Sequence, residues 1–289
     1  MRYLAGQANR LGNRASNQDR CLLVERDDAL LLAVADGMGG HARGDLAAQT
    51  FVDTLGRQFR AHQGLEDPAQ FLREAFREAH RTILRVGQTQ RPPIQPMTTA
   101  VACLIQDGAA HWAHVGDSRA YLIRDGRVSL RTRDHTRVAE LVEAGLLTEQ
   151  QSQLHPLRNQ VSRCLGGTAQ PPPVTLGPRL YLAPGDVLLL CSDGLWSMLS
   201  ERRLVSGLAD ADLSRALDAL TAAAEDAGYP RSDNVSGVAL RWDAGGTDPA
   251  DRAGTPTGAP QTPADPLERA IADIQQALAD YAGEMRDGS

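Results

Sequence analysis

Two apolar runs in this chain end on an aspartate followed by glycine. Residues 29–35 run into Asp36-Gly37, and residues 186–191 run through Ser192 into Asp193-Gly194. Both runs have strand length, and a helical pattern follows each, so both carboxylates belong at strand ends. Three more aspartates share this placement. Asp19 precedes the run 20–26, Asp117 follows the run 109–115, and Asp233 precedes the run 235–241. An Asp-Gly pair alone signals a turn, and Asp107-Gly108 and Asp125-Gly126 read as hairpin turns. Several carboxylates at the ends of buried strands are a different matter. Like charges within about 6 Å raise one another's pKa, so the group needs cations. The donors are oxygens with no Cys or His partners, which favours hard ions, Mn²⁺ or Mg²⁺ ahead of Zn²⁺. Gly37, Gly39 and Gly40 let the backbone approach such an ion, with a carbonyl as ligand.

The rest of the pattern sets the fold class. Strand-like runs cover 20–26, 29–35, 98–105, 109–115, 119–123, 127–131, 179–182, 186–191 and 235–241. Helical spacing covers 43–60, 69–86, 200–208 and 212–227, and residues 136–165 read as a helix with an irregular insert. Strands cluster and helices cluster without regular alternation, which predicts an α+β fold with helices covering antiparallel sheets.

Composition removes several classes. The longest unbroken apolar run is seven residues, Ala29 to Ala35, against about 20 for a membrane span, so no membrane is expected. The N-terminus has no apolar stretch of signal-peptide length. Cys21, Cys103, Cys164 and Cys191 form no C-x-x-C pair and read as reduced core residues of a cytoplasmic protein. The net charge of −6 lies wholly in 243–289, with nine acids and three arginines, and no basic block suggests nucleic acid.

At this point the chain resembles the metal-dependent type 2C (PPM) protein serine/threonine phosphatases in their bacterial form. The matching segments run in order through residues 3–242. They are Arg14-x-x-Asn17-Gln18-Asp19, Val34-Ala35-Asp36-Gly37-Met38-Gly39-Gly40-His41, Thr98-Thr99 and Gly116-Asp117-Ser118-Arg119-Ala120-Tyr121. Asp134-His135-Thr136, Ser162-Arg163-x-Leu165-Gly166, Ser192-Asp193-Gly194-Leu195-Trp196 and Asp233-Asn234 follow. The resemblance implies a four-layer α-β-β-α sandwich, two antiparallel sheets flanked by helices. It implies two Mn²⁺ or Mg²⁺ bridged by Asp36, with Asp193 and Asp233 completing one site and the Gly37 carbonyl the other. Asp19 would hold metal-bound waters, Asp117 with Asp193 a third, weaker ion, and Arg14 the substrate phosphate. The implied reaction is direct attack of a metal-bridging hydroxide on phosphoserine or phosphothreonine in proteins, opposing a bacterial Ser/Thr kinase.

Three positions depart from the family pattern. Met38 stands where animal members carry a histidine proposed as general acid, with His41 three residues on. Met97 replaces a glycine before Thr98-Thr99, which read as core or sheet residues, and Gln18 replaces a glutamate. Arg137, Arg158 and Arg163 fall in the segment that corresponds to the family's flap, either as peptide contacts or as solvated arginines. The competing readings are a catalytically dead relative that binds phosphoprotein, and an enzyme for small phosphate esters. Loss of Asp36, Asp193 or Asp233 would mark the former, and all three are present.

The domain reading is a catalytic domain over 1–242, a flexible Pro/Gly/Ala linker over 243–265 and an amphipathic helix over 266–286. Leu267, Ile271, Ile274, Leu278, Tyr281 and Met285 step by fours and threes, a heptad seam shorter than three repeats. Its flanks hold few paired charges, which favours docking on its own domain or a partner protein over self-pairing.

Overall fold

The computed structural model describes residues 2–39, 43–62 and 64–243. Asp243 closes the last strand; the rest of the expected linker, the expected helix over 266–286 and His41 lie outside these residues. In chain order the first elements are β1 (Arg2–Arg10), β2 (Asp19–Glu25), β3 (Ala29–Met38), α1 (Gly44–Ala61) and α2 (Pro68–Thr89). Four strands follow, β4 (Met97–Gln106), β5 (Ala109–Val115), β6 (Arg119–Arg124) and β7 (Arg127–Arg131). The segment after them carries α3 (Arg137–Glu143), α4 (Glu149–Leu154), β8 (Leu165–Gly166), β9 (Thr175–Leu176) and β10 (Leu180–Tyr181). The last elements are β11 (Val187–Cys191), α5 (Asp193–Trp196), α6 (Glu201–Gly207), α7 (Leu213–Gly228) and β12 (Val235–Asp243).

The strands form two antiparallel sheets. One has the order β1-β12-β11-β6-β7; the other runs β10-β5-β4-β3-β2, with β8 on β4 and β9 on β5. The apolar runs are unbroken because both faces of these central strands are covered. In β3, Leu30, Leu32 and Val34 enter the layer between the sheets, where they join Val101, Cys103, Leu188, Leu190 and Val238. The alternate residues Leu31, Ala33 and Ala35 pack beneath α1 and α2 with Phe51, Leu55, Phe59, Leu72 and Phe76. In β11, Val187, Leu189 and Cys191 face outward against Leu204, Leu213, Leu217 and Leu220 of α6 and α7. Three apolar layers therefore separate four layers of structure, and the sandwich implied by the resemblance is the observed architecture.

Local signals fix the element ends. Asp67 caps α2 through Gln70 N–H with Pro68 at the first helical position, and Asp212 caps α7 through Arg215 N–H. Asp107-Gly108 and Asp125-Gly126 have positive φ at all four residues, the conformation that two-residue hairpins require. Sequence pattern did not reveal the two-residue strands β8 and β9, nor the long strand β1. β1 is an edge strand whose buried positions are Gly6 and Ala8, on the face toward α7, so it shows no apolar alternation, yet it pairs with β12 over its whole length. The segment 136–165 holds two short helices, α3 and α4, and is tied at its base by a bridge between Thr136 and Val161. All four cysteines are free. Among the described residues no helix is long and apolar enough to cross a membrane.

Candidate active site

The expected site residues converge at one end of the sandwich from both sheets. Antiparallel register sets Asp19 of β2 opposite Asp36 of β3, and Gly37 opposite Thr98 of β4. The Thr98 hydroxyl donates to the Asp36 carbonyl at 2.8 Å, which gives this buried threonine a task at the rim. Gly37 packs directly on the start of α1: a Cβ there would lie 2.2 Å from the Gly44 carbonyl oxygen. Only glycine permits that crossing.

The other sheet brings Asp193 and Asp233. Asp193 opens α5 just beyond β11, and Asp233 precedes β12, the antiparallel neighbour of β11. Asp117 lies on the connection from β5 in one sheet to β6 in the other, and its carbonyl accepts from Trp196 Nε1 at 3.0 Å. Arg119 stacks over the Trp196 ring at 3.4 Å and grips Asp134 through two bonds of 2.8 and 2.7 Å.

These residues line a cavity of about 370 Å³ whose walls include Arg14, Gln18, Asp36, Gly37, Asp117, Asn159, Asp193 and Asp233. Four carboxylates face it, and Arg14 is the one cationic side chain among its described lining residues. Asp19 is not a lining residue. It lies buried beside Asp36 on the adjacent strand and accepts from Ser192 Oγ at 2.7 Å. A larger cavity of about 850 Å³ lies elsewhere, between the β6–β7 hairpin and α6, where aliphatic side chains such as Ile123, Val187 and Leu208 mix with charges of both signs. Converging charge, not volume, distinguishes the smaller one.

Burial, with mutual repulsion second, drives the electrostatics. The Asp36 carboxyl is pushed well above its ordinary range by burial and then by Asp19, Asp193, Asp117 and Asp233. Asp19 rises to about 7 from burial, against the opposing Ser192 hydrogen bond. Asp117 rises to about 7 from burial, with Asp193 and Asp134 adding to it. Asp193 is raised by burial and Asp233, and a hydrogen bond with Asp36 offsets part of the rise.

The donor set fits hard divalent ions on these grounds: oxygen atoms only, negative charge concentrated by burial, and a glycine backbone open to close approach. Among the described residues no group of three or more Asp, Glu, His or Cys side chains has the spacing of a metal-ligand cluster. The Asp233 carboxylate is held by protein partners. Arg14 Nη2 donates to Asp233 Oδ2 at 2.5 Å, and Asn234 N–H donates to Asp233 Oδ1 at 2.8 Å.

Sequence pattern alone did not single out Asn159 and Val161, which reach the cavity from the segment after α4, nor the structural role of Asn234. Asn234 had a signal, since it adjoins Asp233 in the matched motif; Asn159 had none. Of the three arginines in this segment, Arg137 pairs with Glu140 at 3.2 Å, and none of the three is a cavity-lining residue.

Comparison with known proteins agrees with this geometry. The profile of the family described as Protein phosphatase 2C matches residues 7–232. A putative protein phosphatase 2C-type of Streptococcus pyogenes is 36% identical over 197 residues, 67% of this chain and 78% of that protein. The serine/threonine protein phosphatase PstP of Mycobacterium tuberculosis is 33% identical over 256 residues, 86% of this chain but only 47% of that longer protein. Among solved structures, the Streptococcus agalactiae serine/threonine phosphatase superposes with a TM-score of 0.75 at 30% identity, covering 83% of this chain and 99% of that one. The catalytic domain of PstP, solved with two manganese ions, gives a TM-score of 0.68 at 31% identity, covering 83% of this chain and 97% of that one. Sandwich, acidic cavity and sequence agree: the chain belongs to the protein phosphatase 2C family.

Proposed function

We propose that this chain is a metal-dependent protein serine/threonine phosphatase that hydrolyses phosphoserine and phosphothreonine in proteins and opposes a bacterial Ser/Thr kinase. One observation carries the reading: four carboxylates and a single arginine share one cavity at the junction of the two sheets. A phosphate monoester brings negative charge to a place already rich in it, which works only where divalent ions sit between the two.

Asp36, Asp193 and Asp233, with the Gly37 carbonyl, would hold two Mn²⁺ or Mg²⁺, and Asp117 with Asp193 a third, weaker ion. When bound, such ions lower the pKa of water toward neutrality and neutralise phosphoryl oxygens. The remaining work falls to the chain's own residues. Arg14 turns its planar fork from Asp233 onto two phosphoryl oxygens and fixes the ester for in-line displacement. Asp19, buried across from Asp36 on the neighbouring strand and held by Ser192, orients solvent at the site. Four free cysteines accord with a reducing compartment, and a cytoplasmic location is part of this reading.

The test is turnover of p-nitrophenyl phosphate and of a phosphothreonine peptide with Mn²⁺, with and without chelator. Chelator-sensitive hydrolysis of both is expected. Metal-dependent hydrolysis of free phosphoserine alone would favour a small-ester enzyme, and no turnover with either would favour a phosphoprotein-binding module.

A further inference from the structure

Arg14 lies on an exposed loop between β1 and β2, and a loop that grips phosphate must be held in place. The amide of Asn234, buried just before β12, does this with every polar atom it has. Its Nδ2 donates to the Leu11 carbonyl at 2.8 Å and to the Ser16 carbonyl at 3.2 Å, and its Oδ1 accepts from Gln18 N–H at 2.9 Å. One side chain thus ties both ends of the loop that carries Arg14. The middle of that loop is fastened by Asn13. Its N–H donates to the Ser232 carbonyl at 3.0 Å, and its Oδ1 accepts from Ser232 Oγ at 2.7 Å and Ser232 N–H at 3.3 Å. Between them, Gly12 at φ +62° brings the two segments so close that a Cβ would lie 2.1 Å from the Asp233 carbonyl oxygen.

We infer that Asn234 and Asn13 are positioning residues that set Arg14 against Asp233 and so fix where the phosphate is received. The inference rests on Arg14 as the phosphate-gripping residue, and it assigns the precision of that grip to two amides, Asn13 and Asn234, the second of them in the cavity wall. Nothing charged is needed: three bonds from a buried amide and three around Asn13 turn two separate loops into one body.

The experiment titrates inorganic phosphate by calorimetry into the full chain saturated with Mn²⁺, for wild type, Asn13→Ala, Asn234→Ala, Arg14→Ala and the doubles with Arg14→Ala. Hydrogen exchange of the metal-free chain at Gln18 and Ser232 reads the clamp directly. Asn13→Ala is expected to weaken phosphate roughly fivefold and Asn234→Ala roughly tenfold or more. Each should add less than about twofold once Arg14 is gone, because the effect passes through it. Asn13→Asp keeps the accepting oxygen and should restore slow exchange at Ser232 and most of the affinity. Asn234→Ala should speed exchange at Gln18. If Asn234→Ala does not fold, Asn13→Ala decides. Unchanged phosphate affinity in Asn13→Ala, or the same loss with and without Arg14, overturns the positioning role. Full phosphate affinity in Arg14→Ala instead overturns the assignment of Arg14 itself, and the clamp's purpose with it.

Discussion

Arg14 Nη2 lies 2.5 Å from Asp233 Oδ2, so the cation assigned to the phosphate holds a carboxylate assigned to a metal ion. The two roles compete for Asp233. Replacing Arg14 with Gln is therefore expected to tighten Mn²⁺ binding about fivefold, the order of one exposed charge interaction at close range. The same change should lower kcat/KM on a phosphothreonine peptide roughly 100-fold or more. Calorimetric Mn²⁺ titration beside steady-state kinetics checks both. Weaker metal binding in the variant would remove the competition.

The Asp36 carboxyl is raised by burial and by all four neighbouring carboxylates, Asp19, Asp193, Asp117 and Asp233. Asn at this position keeps a hydrogen-bonding partner for Asp193 while removing one charge. The metal-free Asp36→Asn chain should melt roughly 2–6 °C above wild type. Wild type should gain stability on adding Mn²⁺, and the variant should gain little. Thermal scans with chelator and with excess Mn²⁺ separate the two effects. A destabilised metal-free variant would show that repulsion does not govern this cavity.

Gly37 meets the first turn of α1 with no room for a methyl group, since the nearest backbone oxygen would lie 2.2 Å from its Cβ. Gly37→Ala should cost about 1–3 kcal/mol in urea unfolding, because backbone on both sides has to move. A shift this size, together with lost stabilisation by Mn²⁺, would separate a displaced strand end from mere surface tolerance.

His135, which holds the Gly116 amide next to Asp117, provides a pH marker outside the cavity lining. Its ring stacks on His114 at 4.4 Å, accepts from Gly116 N–H at 3.0 Å through Nδ1, and meets the Thr175 hydroxyl at 2.8 Å through Nε2. Burial, with His114 and Arg163 nearby, pulls its pKa down to about 3. Between that value and the ordinary 6.5 of an unfolded histidine, the unfolded chain binds more protons than the folded one. This contribution to stability is therefore complete above about 6.5 and is lost as pH falls toward 3. His135→Asn keeps an acceptor for Gly116 but does not titrate. It should be less stable than wild type at pH 7.5, and the gap should narrow steadily down to pH 4.5. Urea midpoints across that range test it, and a constant gap would contradict it.

Much of the site was visible in the sequence because of how it is built. Asp36 and Asp193 terminate strands buried on both faces, and such strands read as unbroken apolar runs with sharp ends. Arg14, Asp19 and Asp117 were legible through the matched motifs. What stayed hidden depends on contacts between distant segments. Asn234 reaches back to Leu11, Ser16 and Gln18, more than 200 residues away in sequence, and no local pattern records that. β1 was hidden for another reason: an edge strand can use Gly6 and Ala8 where a central strand uses leucine, so pairing with β12 defines it more than burial does. Asn159 belongs to a segment with little regular structure, where position follows from the tie between Thr136 and Val161 rather than from periodicity.

Asp19 and Asp36 stand on one sheet, while Asp193 and Asp233 stand at the end of the other. The spacing across the cleft is thus gauged by the thickness of the greasy filling below, where Leu32 and Val34 meet Leu190 and Val238. Those side chains touch no reactant, yet they act as the shims of the instrument. Trimming one would slacken the jaws above it, and the tolerance of the catalyst is machined into a layer that performs no chemistry.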